Sequence, residues 1–296
     1  MFPLRSVLVA VDFSEQSRLA LGLGARLARH AGATLHVLYV ESPLMVAAAT
    51  HNGIDLLAEN REELQRFIAT APPAAACTQH PDVVSGEPAD AILHLANREA
   101  ADLIVIGARG MSGPGRMLFG SVAEAVLLHA DRSVLVTPDT WTPPQGGGDT
   151  LAGVGPIVVG IDFSEPSLLA ARAACQLAEQ LQASVEAVHV VPDLPVLERW
   201  KPHAERALAE RADLARRELA ERLAGIDTPV RVTTSVATGN VAERLAEAAA
   251  TIGGRHPLLV LGRRSPRSEG GTPGATAYRV ASSARVPVLM YRQRVR

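Results

Sequence analysis

The sequence predicts an α/β fold in two tandem copies, each an open sandwich of helices on both faces of a five-stranded parallel sheet. Three observations carry that expectation: a long internal repeat, apolar runs that alternate with amphipathic stretches, and a Pro/Gly-rich break between the copies. At 296 residues the chain exceeds the usual size of one compact core. "VLVAVDFSEQSRLALGLGARLARHAGATLHVLYV" at 7–40 returns as "IVVGIDFSEPSLLAARAACQLAEQLQASVEAVHVV" at 157–191, so that Asp12 is answered by Asp162, Ser14 by Ser164 and Val40 by Val190. "ADLIVIGARG" at 101–110 is echoed by "HPLLVLGRRS" at 256–265. A unit this long buries its own core, which marks duplicated domains and not a short-repeat solenoid.

In the first copy the runs at 6–11, 34–40, 80–84, 102–106 and 133–137 are rich in Val, Ile and Leu. Such continuous runs read as strands of a parallel sheet covered on both faces. Helices are predicted between them at 14–30, 54–70, 88–100 and 120–130. The first of these puts Leu19, Leu23 and Leu27 on one stripe, and Gly32 just beyond is a stop signal. In the second copy "ERWKPHAERALAERADLARRELAERLAGI" holds a helix dense in Glu/Arg pairs three and four apart, a solvated face closed by Gly225. The break is "PDTWTPPQGGGDTLAGVG", whose prolines and glycines continue neither a strand nor a helix. It divides the chain into a first domain at 1–139, a linker at 140–155 and a second domain at 156–296.

Composition narrows the function. With 47% apolar and 20% charged residues, the chain has the make-up of a soluble globular protein. It contains no run of about eighteen uncharged apolar residues, and the amino terminus reaches Asp12 too soon for a secretory signal, so a cytoplasmic protein without a membrane partner is expected. Cys77 and Cys175 stand far apart and in no CxxC arrangement, and read as buried, inert thiols. Residues 1–138 carry ten Arg against fourteen Asp/Glu, a net of −4, and residues 156–296 carry nineteen Lys/Arg against fifteen Asp/Glu, a net of +4. Neither half is basic enough to predict nucleic-acid binding.

The chemistry concentrates in "GARGMSGPGRMLFGSV" at 107–122, which has five glycines and no lysine. A Walker loop needs Gly-Lys-Ser/Thr, and the single lysine, Lys201, is followed by Pro202. The fingerprint G-x-G-x-x-G fails because Leu118 stands where the third glycine belongs, and "GLG" at 22–24 falls inside a predicted helix, where it reads as packing. Ser112 has no His and acid placed to serve it as a nucleophile. What fits is Gly107-x-x-Gly110, nine residues, then Gly120-Ser121 opening a helix. Glycine at 107 and 110 allows close backbone approach and positive φ, while Gly120, Ser121 and Val122 present unpaired amides that attract phosphate. The Ser121 hydroxyl adds a donor, and Arg109 or Arg116 supplies the charge that lysine supplies elsewhere. The competing reading is a Gly-rich connection whose serine caps a helix.

On these residues the chain resembles the universal stress protein family, over nearly its whole length as a tandem pair. The resemblance is carried by "VAVDFSE", by "LYV" ending the second strand, and by "IGARGMSGPGRMLFGSVAEAVLLHADRSVLV", similar to the family's G-x2-G-x9-G-S/T nucleotide motif. It implies strand order 3-2-1-4-5 and an ATP site in the crevice between strands one and four, where open α/β sheets hold ligands. Carried over by position, Ala10, Val11 and Asp12 flank adenine and ribose, with the Asp12 carboxylate near the sugar hydroxyls. Val40 offers its backbone to the adenine edge, Ile106 and Gly107 line the ribose side, and Gly110, Gly120, Ser121 and Val122 bind the phosphates, with magnesium as a companion of ATP. Asp12 has a second reading as a helix-start carboxylate with Ser14 as cap. The resemblance also implies that the two copies pair through their last strands into a pseudo-twofold unit, with a homodimer as a further step.

The second copy departs from the pattern. Ser265 replaces the second glycine, eight residues instead of nine precede Gly274, and Ala275 takes the serine position with Thr276 one residue late. Asp162, Val190, Gly262, Gly274 and Thr276 are its weaker counterpart site. Arg263, Arg264 and Arg267 offer charge for an anion without a glycine nest. No catalytic residue and no metal ligand is assigned. Fast turnover needs a base and usually Mg²⁺ ligands near the γ-phosphate, which the loop lacks, so the sequence favours an ATP-binding regulatory protein. A slow ATPase or adenylate-handling enzyme and a nucleotide-free scaffold stay open as alternatives.

Overall fold

The computed structural model describes residues 4–71, 77–110, 119–141, 154–193, 198–252, 256–263 and 275–293. The chain divides into two compact units, Pro3–Leu151 and Ala152–Gln293, apart from a few terminal residues. Most of the expected linker, 142–153, lies outside the described residues.

The first unit runs β1 (Ser6–Val11), α1 (Glu15–Ala31), β2 (Thr34–Glu41), α2 (Pro43–His51), α3 (Leu56–Ala69), β3 (Gln79–Ser85), α4 (Pro88–Arg98), β4 (Leu103–Gly107), α5 (Ser121–His129) and β5 (Ser133–Thr137). Its strands are parallel in the order β3-β2-β1-β4-β5. Central β1 pairs Val7 with Leu35 on one side and with Leu103 on the other. Val7, Leu8 and Val9 are fully buried, as are Leu35, Val37, Ile104 and Val105. Each such side chain contributes about 1.5–3 kcal/mol on burial, which explains why the sheet reads as unbroken apolar runs.

Helix α1 starts at N-cap Ser14, whose side chain accepts from the Ser17 amide, and stops at Gly32 with φ 61°. Its buried face is wider than the leucine stripe: Ala20, Leu21, Leu23, Gly24, Leu27 and Ala28 are buried, while Leu19 is only half-buried. Gly24 has a packing role, because a Cβ there would stand 2.6 Å from Cγ2 of Val9. Gly22 faces open space.

Helix α2 was not expected. It buries no residue, and Leu44 and Met45 are 78% and 55% exposed. Its sequence PLMVAAATH is apolar nearly all round and carries no helical period, so only Pro43 at the first turn signals it. Another feature invisible to patterning is Arg132, 2% exposed. Its Nη1 donates to the carbonyls of Ala101 (2.9 Å) and Ala96, its Nη2 donates to Asn97 Oδ1, and Asp131 pairs with it from outside. The guanidinium thereby ties the carboxyl end of α4 to the start of β5.

The second unit runs β6 (Val154–Ile161), α6 (Glu165–Leu181), β7 (Val185–Val191), α7 (Lys201–Ala224), β8 (Val232–Thr238), α8 (Val241–Thr251), β9 (His256–Gly262), α9 (Ala275–Ser283) and β10 (Val288–Tyr291). Strand β6 begins two residues inside the expected linker. The parallel order β8-β7-β6-β9-β10 repeats the first unit. Cys175 is buried as expected, but Cys77 is partly exposed, with Sγ 3.4 Å from the Ala25 carbonyl. Among the described residues no helix is long and apolar enough to cross a membrane.

Candidate functional site

At the carboxyl ends of β1 and β4 the first unit opens into a cavity of about 420 Å³, a size suited to small ligands. All eleven residues predicted for the first site line it: Ala10, Val11 and Asp12 from β1 and its exit, Val40 from β2, Ile106, Gly107, Arg109 and Gly110 from β4 and its exit, and Gly120, Ser121 and Val122 at the mouth of α5. Ser112 and Arg116 lie outside the described residues.

The exit of β1 bends sharply because Phe13 takes φ 63°, a left-handed conformation rare for a bulky residue. The Phe13 ring is held by stacking on Tyr39 at 4.3 Å and by an edge contact with Phe67 at 5.4 Å. That bend turns Asp12 toward the loop after β4. Its Oδ1 accepts from the Ser14 amide at 3.1 Å and the Ser14 hydroxyl at 2.5 Å, and its own amide donates to Ser17 Oγ at 3.3 Å. The helix-start reading of Asp12 is therefore correct, and the residue lines the cavity as well.

Oδ2 of Asp12 faces Gly110, where an added Cβ would lie 2.2 Å away. At Gly107 a Cβ would meet the Arg109 carbonyl at 3.0 Å. The expected reason for these glycines needs correction: among the described residues left-handed glycines occur at 32, 53, 155 and 239, and not at 107 or 110. Crowding, not positive φ, excludes a side chain. Gly120 is different again. It is the N-cap of α5 with φ −67°, and a Cβ would find nothing nearer than 3.6 Å.

Gly120 donates to the Ala108 carbonyl at 2.9 Å, which fixes the start of α5 against the end of β4. As the first three residues of α5, Ser121, Val122 and Ala123 present amides that have no acceptor within the helix itself, and Gly120 has no side chain to cap it. Ser121 is the first helical residue and not the cap. These N–H groups, with the helix dipole behind them, suit an anion at the mouth. Arg109 stands beside them in an ion pair with Asp139 at 3.1 Å.

The opposite wall was not predicted. It consists of Tyr39, Glu41, Ser42 and Pro43 at the end of β2, and of Gly86, Glu87 and Pro88 at the start of α4. Glu41 accepts from the Tyr39 hydroxyl, and this bond and charge, after burial, push the Tyr39 hydroxyl up to about 12. The acidic residue directly behind "LYV" is the sequence signal that could have found this wall.

The second unit has a cavity of about 300 Å³ at the equivalent place, lined by Asp162, Val190, Gly262 and Thr276 among others. Gly274 lies outside the described residues, as do Arg264 and Arg267. The β6 exit repeats the β1 exit: Phe163 has φ 63°, and Asp162 Oδ1 accepts from the Ser164 amide at 3.0 Å and from its hydroxyl. His189 replaces Tyr39 under the ring, 4.4 Å from Phe163, with Nδ1 donating to the Ile161 carbonyl at 2.8 Å. Arg263, aligned with Ala108, is 4% exposed and lines the cavity. Gly262 packs against backbone, since a Cβ would stand 2.4 Å from the Pro166 carbonyl. Among the described residues no group of three or more His, Cys, Asp or Glu side chains is arranged to hold a metal ion.

Parallel sheets in the order 3-2-1-4-5, with a cavity at the strand ends beside the central strand, define an open α/β protein of the kind that holds ligands at its switch point. The universal stress protein family matches residues 3–138 and again 153–292, and the chain belongs to that family. It is 28% identical to a universal stress protein of Mycolicibacterium smegmatis, over 97% of each chain. To one of Mycobacterium tuberculosis it is 29% identical, over 97% of this chain and 94% of the relative. A universal stress protein of known structure from Archaeoglobus fulgidus superposes with a TM-score of 0.64 at 19% identity, covering 99% of this chain and 97% of that one, a likeness of fold.

Proposed function

We propose that the first unit binds an adenine nucleotide, ATP in the cell, as a regulatory ligand with little or no hydrolysis. The observation that supports this best is the mouth of α5, whose first amides, of Ser121, Val122 and Ala123, have no acceptor within the helix, in a 420 Å³ cavity that Asp12 also lines. In this reading the amides and the Ser121 hydroxyl take the phosphates, Asp12 Oδ2 takes the ribose hydroxyls with Ile106 and Gly107 alongside, Val40 offers its backbone to the adenine edge, and Leu38 and Ile92 flank the base. Arg109 joins the phosphates by exchanging Asp139 for them. Three or four charge-assisted hydrogen bonds of about 1.5–3 kcal/mol each, less the cost of association, give a dissociation constant around micromolar. Magnesium, where it accompanies ATP, is carried by the phosphates and water and needs no protein cage. The second cavity, smaller and lined by a buried arginine, is read as having lost the nucleotide.

Protein purified without added nucleotide is expected to release an ultraviolet-absorbing adenine nucleotide on heating. Absence of any such release, together with no binding of added ATP, would remove this assignment. Steady-state phosphate release of many turnovers per second would overturn the regulatory reading in favour of an enzyme.

A further inference from the structure

We infer that a nucleotide in the first cavity controls the order of the turn Pro138–Trp141, by which the chain leaves β5: the phosphates draw Arg109 away from Asp139, and Trp141 gives up its buried position. This regulation presupposes the nucleotide assignment of the first cavity and carries its effect to the start of the linker.

Arg109 belongs to two structures at once. It lines the cavity, and its Cα lies 3.6 Å from the place a Cβ on Gly120 would take, so it stands against the start of α5 where the phosphates are assigned. Its Nη1 reaches Asp139 Oδ2 at 3.1 Å, beside the seam where the Ala108 amide donates to the Thr137 carbonyl at 2.8 Å. Asp139 follows β5 by two residues, in a turn closed by the Trp141 amide, which donates to the Pro138 carbonyl at 3.0 Å. Trp141 is the last residue described before the linker and is 3% exposed. By register Gln293 stands where the second unit would have Asp139, so the tie is confined to the unit assigned the nucleotide.

The turn is poised between two states. Burial of the Trp141 ring and the Arg109–Asp139 pair hold it in place. Against them stand two buried polar atoms with no hydrogen-bond partner among the described residues, Asp139 Oδ1 and Trp141 Nε1. Each costs stability that water restores on release, since a buried indole N–H or carboxylate oxygen ordinarily has a partner. The ion pair is the exchangeable part. The side chains of Arg109 and Asp139 are 46% and 27% exposed, so water screens the pair and it contributes little. A triphosphate offers the same guanidinium several negative charges and paired oxygens in place of one carboxylate. Once Arg109 turns to the phosphates, Asp139 keeps its orphaned oxygen and loses the cation that offset its charge. Hydration of the two orphans then favours the released turn, and the indole moves with it.

Trp141 reports on itself. The chain has two tryptophans, and Trp200 is 51% exposed, so Trp200→Phe leaves Trp141 as the single indole of a full-length protein. Nucleotide-stripped protein is titrated with ATP while indole emission and acrylamide quenching are recorded, and calorimetry on the same sample fixes occupancy. Emission should start at short wavelength and move to longer wavelength in step with occupancy, with loss of protection from acrylamide. Arg109→Met should show the long-wavelength emission without nucleotide and no further shift when saturated. Asp139→Asn should do the same and, with no carboxylate to displace, bind ATP up to about fivefold more tightly. Emission that stays fixed at calorimetric saturation overturns the inference while the nucleotide site stands. So does a nucleotide-free Arg109→Met spectrum identical to that of the parent, or an Asp139→Asn that gains affinity with its emission unmoved, the mark of a merely electrostatic Asp139. If no ATP binds, the site assignment fails and the inference with it. Should Arg109→Met not fold, the parent titration and Asp139→Asn decide.

Discussion

The two units share the backbone bend and the aspartate hydrogen bonds at the exit of their first strand and diverge in the loop after the fourth. Asp12 and Asp162 each accept from a serine two residues on, and Phe13 and Phe163 both hold φ 63°. Yet where the first unit has Ala108, the second buries the Arg263 guanidinium, and where the first has Glu41 the second has Val191. The cavities follow, about 420 Å³ against about 300 Å³. The strand exit is thus a scaffold common to both units: it starts a helix in each, with a side-chain cap from Ser14 in the first and none from Ser164 in the second, and the cavities differ in the loop and at the end of the second strand.

The largest expected effect breaks the first unit alone. Replacing Gly120 by Val together with Ser121 by Leu should abolish ATP retention, a loss of about a hundredfold or more. The unliganded fold should survive, because a Cβ at 120 meets nothing nearer than 3.6 Å. Calorimetry and melting without nucleotide check the two halves of that statement. Next comes Asp12→Asn, which keeps the acceptor for Ser14 but removes charge from the cavity and is expected to weaken ATP about tenfold. Asp162→Asn, the same change in the same local frame, should leave ATP affinity untouched. Equal effects of the two substitutions would erase the distinction between the cavities.

A third contrast concerns stability. Arg132 stands where the second unit has buried Val286. Arg132→Val imitates that unit but strands the carbonyls of Ala96 and Ala101, at an expected cost of about 1–3 kcal/mol in chemical denaturation. The smallest effect is pH-dependent. His36 is 6% exposed, stacks on His80 at 5.2 Å and has no partner for Nδ1 among the described residues. Burial, aided by the charges of His80 and Arg98 and opposed by Glu99 and Asp82, holds its imidazole below the ordinary histidine range. The unfolded chain therefore takes up a proton before the folded one does. The His36 contribution is complete above about pH 6.5 and is lost as pH falls from there through the folded value. Acidification should lower the melting temperature of the wild type more than that of His36→Phe, which keeps a ring and removes the titration.

Much of this was legible in the sequence for a physical reason. The unbroken apolar runs must be buried on two faces, so the parallel sheet could be read directly, and the spacing of Gly107, Gly110 and Gly120 placed one wall of the cavity. The left-handed φ of Phe13 could not be read, because bulky residues take it only when tertiary contacts such as those of Tyr39 and Phe67 hold them there. Helix α2 escaped because its apolar residues face all sides. The role of Gly110 was misjudged for a related reason: its constraint is the Asp12 carboxylate nearly a hundred residues away, a contact that no local pattern encodes.

The measurement that bears most directly on the account is the stoichiometry of ATP binding to nucleotide-stripped full-length protein. One ATP per chain, lost entirely in the Gly120/Ser121 double variant, is the predicted result. Two ATP per chain, or one that persists in that variant, would contradict it.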